Sequence, residues 1–199
     1  MTPRAWLVDL DGTLYSPTPL KLFMAAELLL FGRRHLAAIR AFRKQHEEIR
    51  EQELDCAGDP FGLQLQRAAE GLGCEPADLR EIVMEWMVGR PCRWLPHFRR
   101  AGLLAEIEAF RAAGGRTALV SDYPARLKLA ALGASELFEV VVANGEEGGP
   151  TRLKPAPDGF LAAAEALGVP PAECLVIGDR EDADGLAASR AGMTFRKIA

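Results

Sequence analysis

Asp9 and Asp11 follow directly on the apolar run Ala5-Trp6-Leu7-Val8 and are themselves followed by Gly12 and Thr13. Ser121 and Asp122 follow a second run, Thr117-Ala118-Leu119-Val120, and Asp179, Asp182 and Asp184 follow a third, Cys174-Leu175-Val176-Ile177-Gly178. Lys154 precedes Pro155 in the stretch between them. If these residues share one crevice, their charges conflict, because two carboxylates 4 Å apart repel by about 4 kcal/mol at an effective dielectric of ~20. A divalent cation removes that conflict. The donors are hard oxygens with no histidine or thiolate among them, which points to Mg²⁺, an ion that takes carboxylates, waters and a substrate phosphate oxygen.

Taken singly, each of these residues also has a plainer reading. An acidic pair at a strand end is often a turn or a helix N-cap. Ser121-Asp122 would serve as a cap for a helix starting near Pro124, and a lone lysine such as Lys154 is usually on the surface. Asp182 suits the N-terminal end of a following helix dipole. What lifts the set above these readings is the organisation of the chain around it.

The three runs, together with Val140-Val141-Val142-Ala143, lack the alternation of a half-exposed strand and read as strands buried on both faces. A further short strand is expected near Thr194 to Lys197. Helical periodicity lies between the runs: Leu103, Leu104, Ile107 and Phe110; Leu127, Ala130 and Ala131; Phe160, Leu161, Ala164 and Leu167; Leu186, Ala187 and Ala191. Gly114-Gly115, Gly133, Gly168 and Gly192 stand where these helices should stop. Alternating strands and helices predict an α/β fold, a doubly wound parallel sheet, and in such a sheet ligands bind beyond the carboxyl ends of the strands. The residues singled out above all fall at that edge.

The stretch from about 20 to 100 breaks the rhythm. It has no buried-strand run and carries helical patterns over Leu22 to Arg50, Phe61 to Gly71 and Ala77 to Val88, broken at Gly32, at Gly58-Asp59-Pro60 and from Gly73 to Pro76. The chain therefore divides into an α/β core, residues 1–18 and 101–199, and an inserted helical unit, residues 19–100. Its most apolar part, Leu22 to Phe31, is interrupted by Glu27 and is far shorter than the roughly 18 to 20 residues that span a bilayer, so a buried helix is expected. The basic residues Arg33, Arg34, Arg40, Arg43 and Lys44 read as a solvated helix face, and Trp86, Trp94 and His97 as packing residues.

With 49% hydrophobic and 26% charged residues, the 199-residue chain has the balance of a globular protein, and its net charge of -4 argues against a nucleic-acid partner. Cys56, Cys74, Cys92 and Cys174 form no paired motif and read as free thiols in a reducing cytoplasm. No export signal and no membrane span is expected, and the oligomeric state is not legible.

The motifs taken together, Asp9-Leu10-Asp11-Gly12-Thr13-Leu14, Ser121 after a strand, Lys154-Pro155, and Gly178-Asp179 with Asp184, resemble the haloacid dehalogenase-like superfamily, in its phosphatase branch with a helical cap. Four motifs in the same order over residues 4–15 and from about 100 onward make the resemblance specific. It implies a Rossmann-like core and a Mg²⁺-dependent phosphatase acting on a small phosphate ester by way of an aspartyl-phosphate. Asp9 would be nucleophile and metal ligand, Asp11 the acid/base and a ligand through its carbonyl, and Asp179 the remaining protein ligand. Ser121 and Asp122 would lie at the phosphate, Lys154 would neutralise Asp9 and phosphate, and Thr13 would brace the loop. The last motif departs from the commonest spacing, so either Asp182 or Asp184 is the carboxylate that supports the metal.

Asp11 favours phosphate esters over halides for a physical reason as well: a departing alkoxide must be protonated, whereas a halide need not be. A phosphomutase would use the same two aspartates, and a phosphonate-cleaving relative would need Lys21 or Lys44 for a Schiff base. A non-catalytic phosphate- or protein-binding relative is the alternative from another class.

Overall fold

All five expected strands form in the structure, a computed structural model that describes residues 2–198: β1 (Ala5–Val8), β2 (Arg116–Ser121), β3 (Val140–Ala143), β4 (Cys174–Gly178) and β5 (Thr194–Lys197). The outermost residues of the expected core, Met1 and Ala199, lie outside the described residues. Every pairing is parallel, in the order β3-β2-β1-β4-β5. The register sets Val8 beside both Leu119 and Ile177, so the residues that follow β1, β2 and β4 leave the sheet along one edge. Parallel strands need crossovers, and helices on both faces supply them.

One face packs Val8, Leu119 and Ile177 against Leu104 and Ile107 of α7 (Ala101–Ala112) and against Leu129 and Leu132 of α8 (Arg126–Leu132). The other packs Leu7, Val120 and Val176 against Phe160 and Leu167 of α9 (Asp158–Leu167) and Ala187 of α10 (Leu186–Arg190). Successive strand residues thus enter different cores, which is why the runs show no polar alternation. Gly133 and Gly168 end their helices in the left-handed conformation, as helix-stopping glycines do.

The α8 face differs from the sequence expectation. Leu127 is 57% exposed, and Ala125, Lys128, Leu129 and Leu132 turn inward instead. Those four also have i, i+3, i+4, i+7 spacing, but one is a lysine, and Leu127, Ala130 and Ala131 made a more apolar competing stripe.

Between β1 and β2 the described residues contain no sheet strand. α1 (Pro17–Phe31), α2 (Leu36–Glu51), α3 (Pro60–Leu72) and α4 (Pro76–Val83) come first, then a π-helical turn at Met84–Gly89, then α5 (Arg90–Cys92) and α6 (Leu95–Phe98). Their breaks fall where Gly32, Asp59-Pro60 and Gly73 predict them; Asp59 caps α3 by accepting from the Gly62 N–H at 2.8 Å. Phe42, Phe61, Leu65, Leu79 and Val83 make a separate helical core. The chain enters and leaves this segment at one place, with Tyr15 bridged to Arg99, Ser16 N–H donating to Phe98 O at 2.9 Å and Arg100 N–H to Leu14 O at 2.8 Å.

The expectation of a buried helix at Leu22 to Phe31 is overturned. Leu30 and Phe31 are 73% and 72% exposed, with Leu22 and Leu29 also open, and only Leu20 and Glu27 of α1 are buried. Glu27, which looked like the interruption, is the anchor: it accepts from Trp94 Nε1 at 2.9 Å and from the Arg93 guanidinium. No helix among the described residues is long and apolar enough to cross a membrane, and the four cysteines are unpaired thiols.

Candidate active site

The loop after β1 is held by Thr13 and Leu14 N–H groups, both donating to Leu10 O. Gly12 within it has φ +102°, and a Cβ there would lie 2.2 Å from Asp179 Oδ2. Glycine is thus required twice, for the backbone and for the approach of Asp179. Gly178 on β4 makes room in the second of these ways alone, since a Cβ would sit 2.5 Å from the Asp184 carboxyl carbon.

Asp9, Asp179 and Asp184 come together, with one carboxylate oxygen of each within 4.8 Å of the others. Lys154 Nζ reaches into this group, 2.6 Å from Asp9 Oδ1, 2.8 Å from Asp184 Oδ1 and 3.1 Å from Val120 O. Thr13 Oγ1 donates to Asp9 Oδ2 at 2.9 Å. Burial pushes the Asp9 carboxyl well above the usual carboxylate range, although Lys154 opposes the shift. Burial by itself would lower the lysine, but the charges of Asp184 and Asp9 outweigh it and hold the ammonium form. Asp179 is raised, first by burial and then by Asp184.

Asp11 points elsewhere. Its carboxylate accepts from Lys128 Nζ at 2.6 and 2.9 Å and from the Tyr15 hydroxyl, at one end of a pocket of 440 Å³ between the sheet edge and α1. Burial and the neighbouring Asp11 charge raise the Tyr15 phenol, so it remains a donor. Neither Tyr15 nor Lys128 stood out in the sequence. The available signal for Lys128 was its place on the i, i+3, i+4, i+7 stripe of α8.

Ser121 is buried at the end of β2, its Oγ accepting from Tyr123 N–H at 3.1 Å. Asp122 is fastened to the neighbouring loop, with Oδ1 accepting the Lys154 N–H at 3.3 Å and its carbonyl accepting Asn144 Nδ2 at 3.2 Å; burial raises its carboxyl.

Asp182 and Asp184 separate sharply. Asp184 is 2% exposed and also accepts from the Arg180 N–H at 3.2 Å. The Asp182 side chain is 65% exposed and held at about 2 by its hydrogen bond from Arg180, with Arg50 of α2 at 3.2 Å on the same carboxylate. The cause is a π-helical turn at Glu181–Gly185, in which Gly185 N–H reaches Arg180 O, five residues back. The wider turn brings residue 184 inward.

The donor set fits a hard divalent cation. Four carboxylates, Asp9, Asp11, Asp179 and Asp184, face two buried ammonium groups, Lys128 and Lys154, so the carboxylates outnumber the ammoniums four to two. The three clustered carboxylates offer oxygen ligands only.

A family model for haloacid dehalogenase-like hydrolases matches residues 3–192. Glyceraldehyde 3-phosphate phosphatase of Methanopyrus kandleri is 44% identical over 71 residues, 36% of this chain and 29% of that protein. The matched stretches amount to less than a third of the lengths of the curated relatives. Among solved structures, β-phosphoglucomutase from Clostridium difficile superposes with TM-score 0.65 at 20% identity, covering 100% of this chain and 85% of the other. L-2-haloacid dehalogenase from Xanthobacter autotrophicus gives TM-score 0.66 at 20% identity, covering 100% and 78%. At such identities the likeness is one of fold.

Proposed function

Because this chain belongs to the haloacid dehalogenase-like hydrolase family, we propose that it is a Mg²⁺-dependent phosphatase that hydrolyses a small phosphate monoester through a phosphoryl group carried on Asp9. The observation that carries this reading is the division of the carboxylates: Asp9 lies with Asp179 and Asp184, whereas Asp11 turns to the adjoining pocket. An attacking group and a proton donor on opposite sides of one ester bond need that separation.

Asp9 Oδ attacks phosphorus, and the ester oxygen leaves with the bonding electrons and takes a proton from Asp11. Water then gives a proton to Asp11 as its oxygen attacks phosphorus, the Asp9–phosphorus bond breaks, and inorganic phosphate departs. Lys154 holds Asp9 in place and offsets negative charge, Thr13 fixes the second Asp9 oxygen, and Ser121 is assigned to a phosphoryl oxygen. Asp9, Asp179 and the Asp11 carbonyl would hold Mg²⁺, supported by Asp184; the ion, when bound, neutralises phosphoryl oxygens. Residues 19–100 would act as a helical cap that excludes water from the crevice, and residues 1–18 and 101–199 as the core.

The test is release of nitrophenolate from 4-nitrophenyl phosphate with Mg²⁺, with EDTA and in Asp9→Asn. Activity should need the metal and vanish in the variant, whose amide has nearly the same shape but is no nucleophile. Full turnover in chelator or in Asp9→Asn would refute the mechanism.

A further inference from the structure

The pocket that Asp11 faces is lined mainly by apolar side chains, with the Tyr15 and Tyr123 rings beside Asp11 and Lys128. α1 contributes Leu20, Met24 and Leu28, and Ile39, Trp86 and Met87 stand with them around the cavity. Its charged groups are confined to the Asp11–Lys128 pair and to Lys21 and Arg43, both exposed to solvent. The Trp86 wall is built at close quarters: Gly32 lies against the indole so tightly that a Cβ would be 2.3 Å from Cη2, and the Arg90 guanidinium covers the ring at 4.0 Å. At 440 Å³ the cavity falls within the range of about 300 to 1,000 Å³ typical of small-molecule pockets. That is far more than a two- or three-carbon group fills.

Resting on the phosphatase reading, we propose that this pocket takes the leaving group of the ester, and that the leaving group is an apolar alcohol, alkyl or aryl, of roughly six or more carbons. Hydroxyls of a short polar leaving group would lose water against the Leu20, Met24, Leu28 and Ile39 side chains and gain no partner on that wall, while Tyr15 and Lys128 are already bonded to Asp11 and Lys21 and Arg43 face solvent. An apolar body loses nothing and buries surface. Its single oxygen points back toward Asp11, the one carboxylate of the site that lines the pocket.

The experiment is a chain-length series with the full-length protein and Mg²⁺: ethyl, butyl, hexyl and octyl phosphate below their aggregation concentrations, with 4-nitrophenyl phosphate as the reference for activity. kcat/KM should rise by about fourfold per methylene until the cavity is filled, mainly through KM. In Met24→Glu and Leu28→Glu, which place a charge on the α1 wall, the octyl-to-ethyl ratio should fall at least tenfold; because it is a ratio within one protein, partial unfolding does not affect it. A flat or falling series with 4-nitrophenyl phosphate still hydrolysed overturns the apolar assignment alone. An unchanged ratio in both variants overturns this pocket as its seat. No hydrolysis of any ester, 4-nitrophenyl phosphate included, overturns the phosphatase reading and this inference with it.

Discussion

Lys128 Nζ lies 2.6 and 2.9 Å from the two carboxylate oxygens of Asp11, so that Asp9 and Asp11, two residues apart in sequence, each have their own buried lysine. The pairing keeps the two carboxylates facing different spaces.

Lys128→Met should therefore release Asp11 from its orientation toward the pocket. The expected loss is about 10- to 100-fold in kcat for an alkyl phosphate, within the range of general acid help. The loss should be much smaller for 4-nitrophenyl phosphate, whose leaving group needs little protonation. Measuring rate against leaving-group pKa checks this: the dependence should steepen in Lys128→Met and recover in part in Lys128→Arg.

Asp11→Asn should uncouple the two chemical steps. With 4-nitrophenyl phosphate the first step persists and hydrolysis of the phosphoryl group on Asp9 stalls, giving a burst of about one nitrophenolate per active site. Rapid-mixing absorbance and a hydroxylamine-sensitive label on Asp9 report it. Equal slowing without a burst would assign the acid/base to another group.

The two acids of the last motif should differ in metal dependence. Asp184→Asn is expected to raise the Mg²⁺ concentration for half-maximal activity by about 10- to 100-fold, the usual range for a group supporting metal ligands. Asp182→Asn should change it by less than about twofold, since the Asp182 side chain is 65% exposed and stands outside the cluster of Asp9, Asp179 and Asp184.

His46 gives a pH dependence of stability. It is buried, stacks on Tyr123 at 4.4 Å and has its Nδ1 3.4 Å from Gln64 Oε1, with Asp122, Glu47 and Arg50 nearby. Burial lowers its pKa, so the folded state binds fewer protons than the unfolded chain below the ordinary histidine value near 6.5. Stability should hold above that pH and fall below it, by at most about 1.4 kcal/mol per pH unit. The rise in urea midpoint from pH 5.5 to 7.5 should be smaller in His46→Phe than in the parent; the raised carboxyls of Asp9 and Asp122 act in the opposite direction in both proteins.

β1, β2 and β4 were legible because they are buried on both faces, and Asp9, Ser121 and Asp179 stand at strand ends that one register aligns; β5, with no buried residue, left a fainter pattern. Lys128 escaped because helical periodicity has only apolar residues to work with. On α8 a lysine occupies the inner stripe to meet Asp11, and Leu127 decorates the outside. α1 failed in the opposite sense: it is apolar all round, so its sequence could not say which side faces inward, and a glutamate held by Trp94 and Arg93 marks the inner side. Between Asp182 and Asp184 the obstacle was geometric. Counting residues assumes a fixed helical pitch, and the π-helical turn there adds a residue to it.

The strand order has a consequence for the making of the molecule. β1, which carries Asp9, sits in the middle of the sheet, and Ala5 finds its neighbours at Arg116 on one side and Cys174 on the other. A growing chain thus presents the strand that leads to Asp9 long before its flanks. Residues 17–98 can meanwhile coil into helices, whose hydrogen bonds span a few positions, but pairings separated by so much chain close late and slowly. Until the Cys174–Gly178 segment has emerged, Ala5–Val8 has an apolar open edge and the crevice lacks Asp179 and Asp184. The nascent protein therefore has no partly competent stage, and during that interval an unpaired central strand is its most aggregation-prone part.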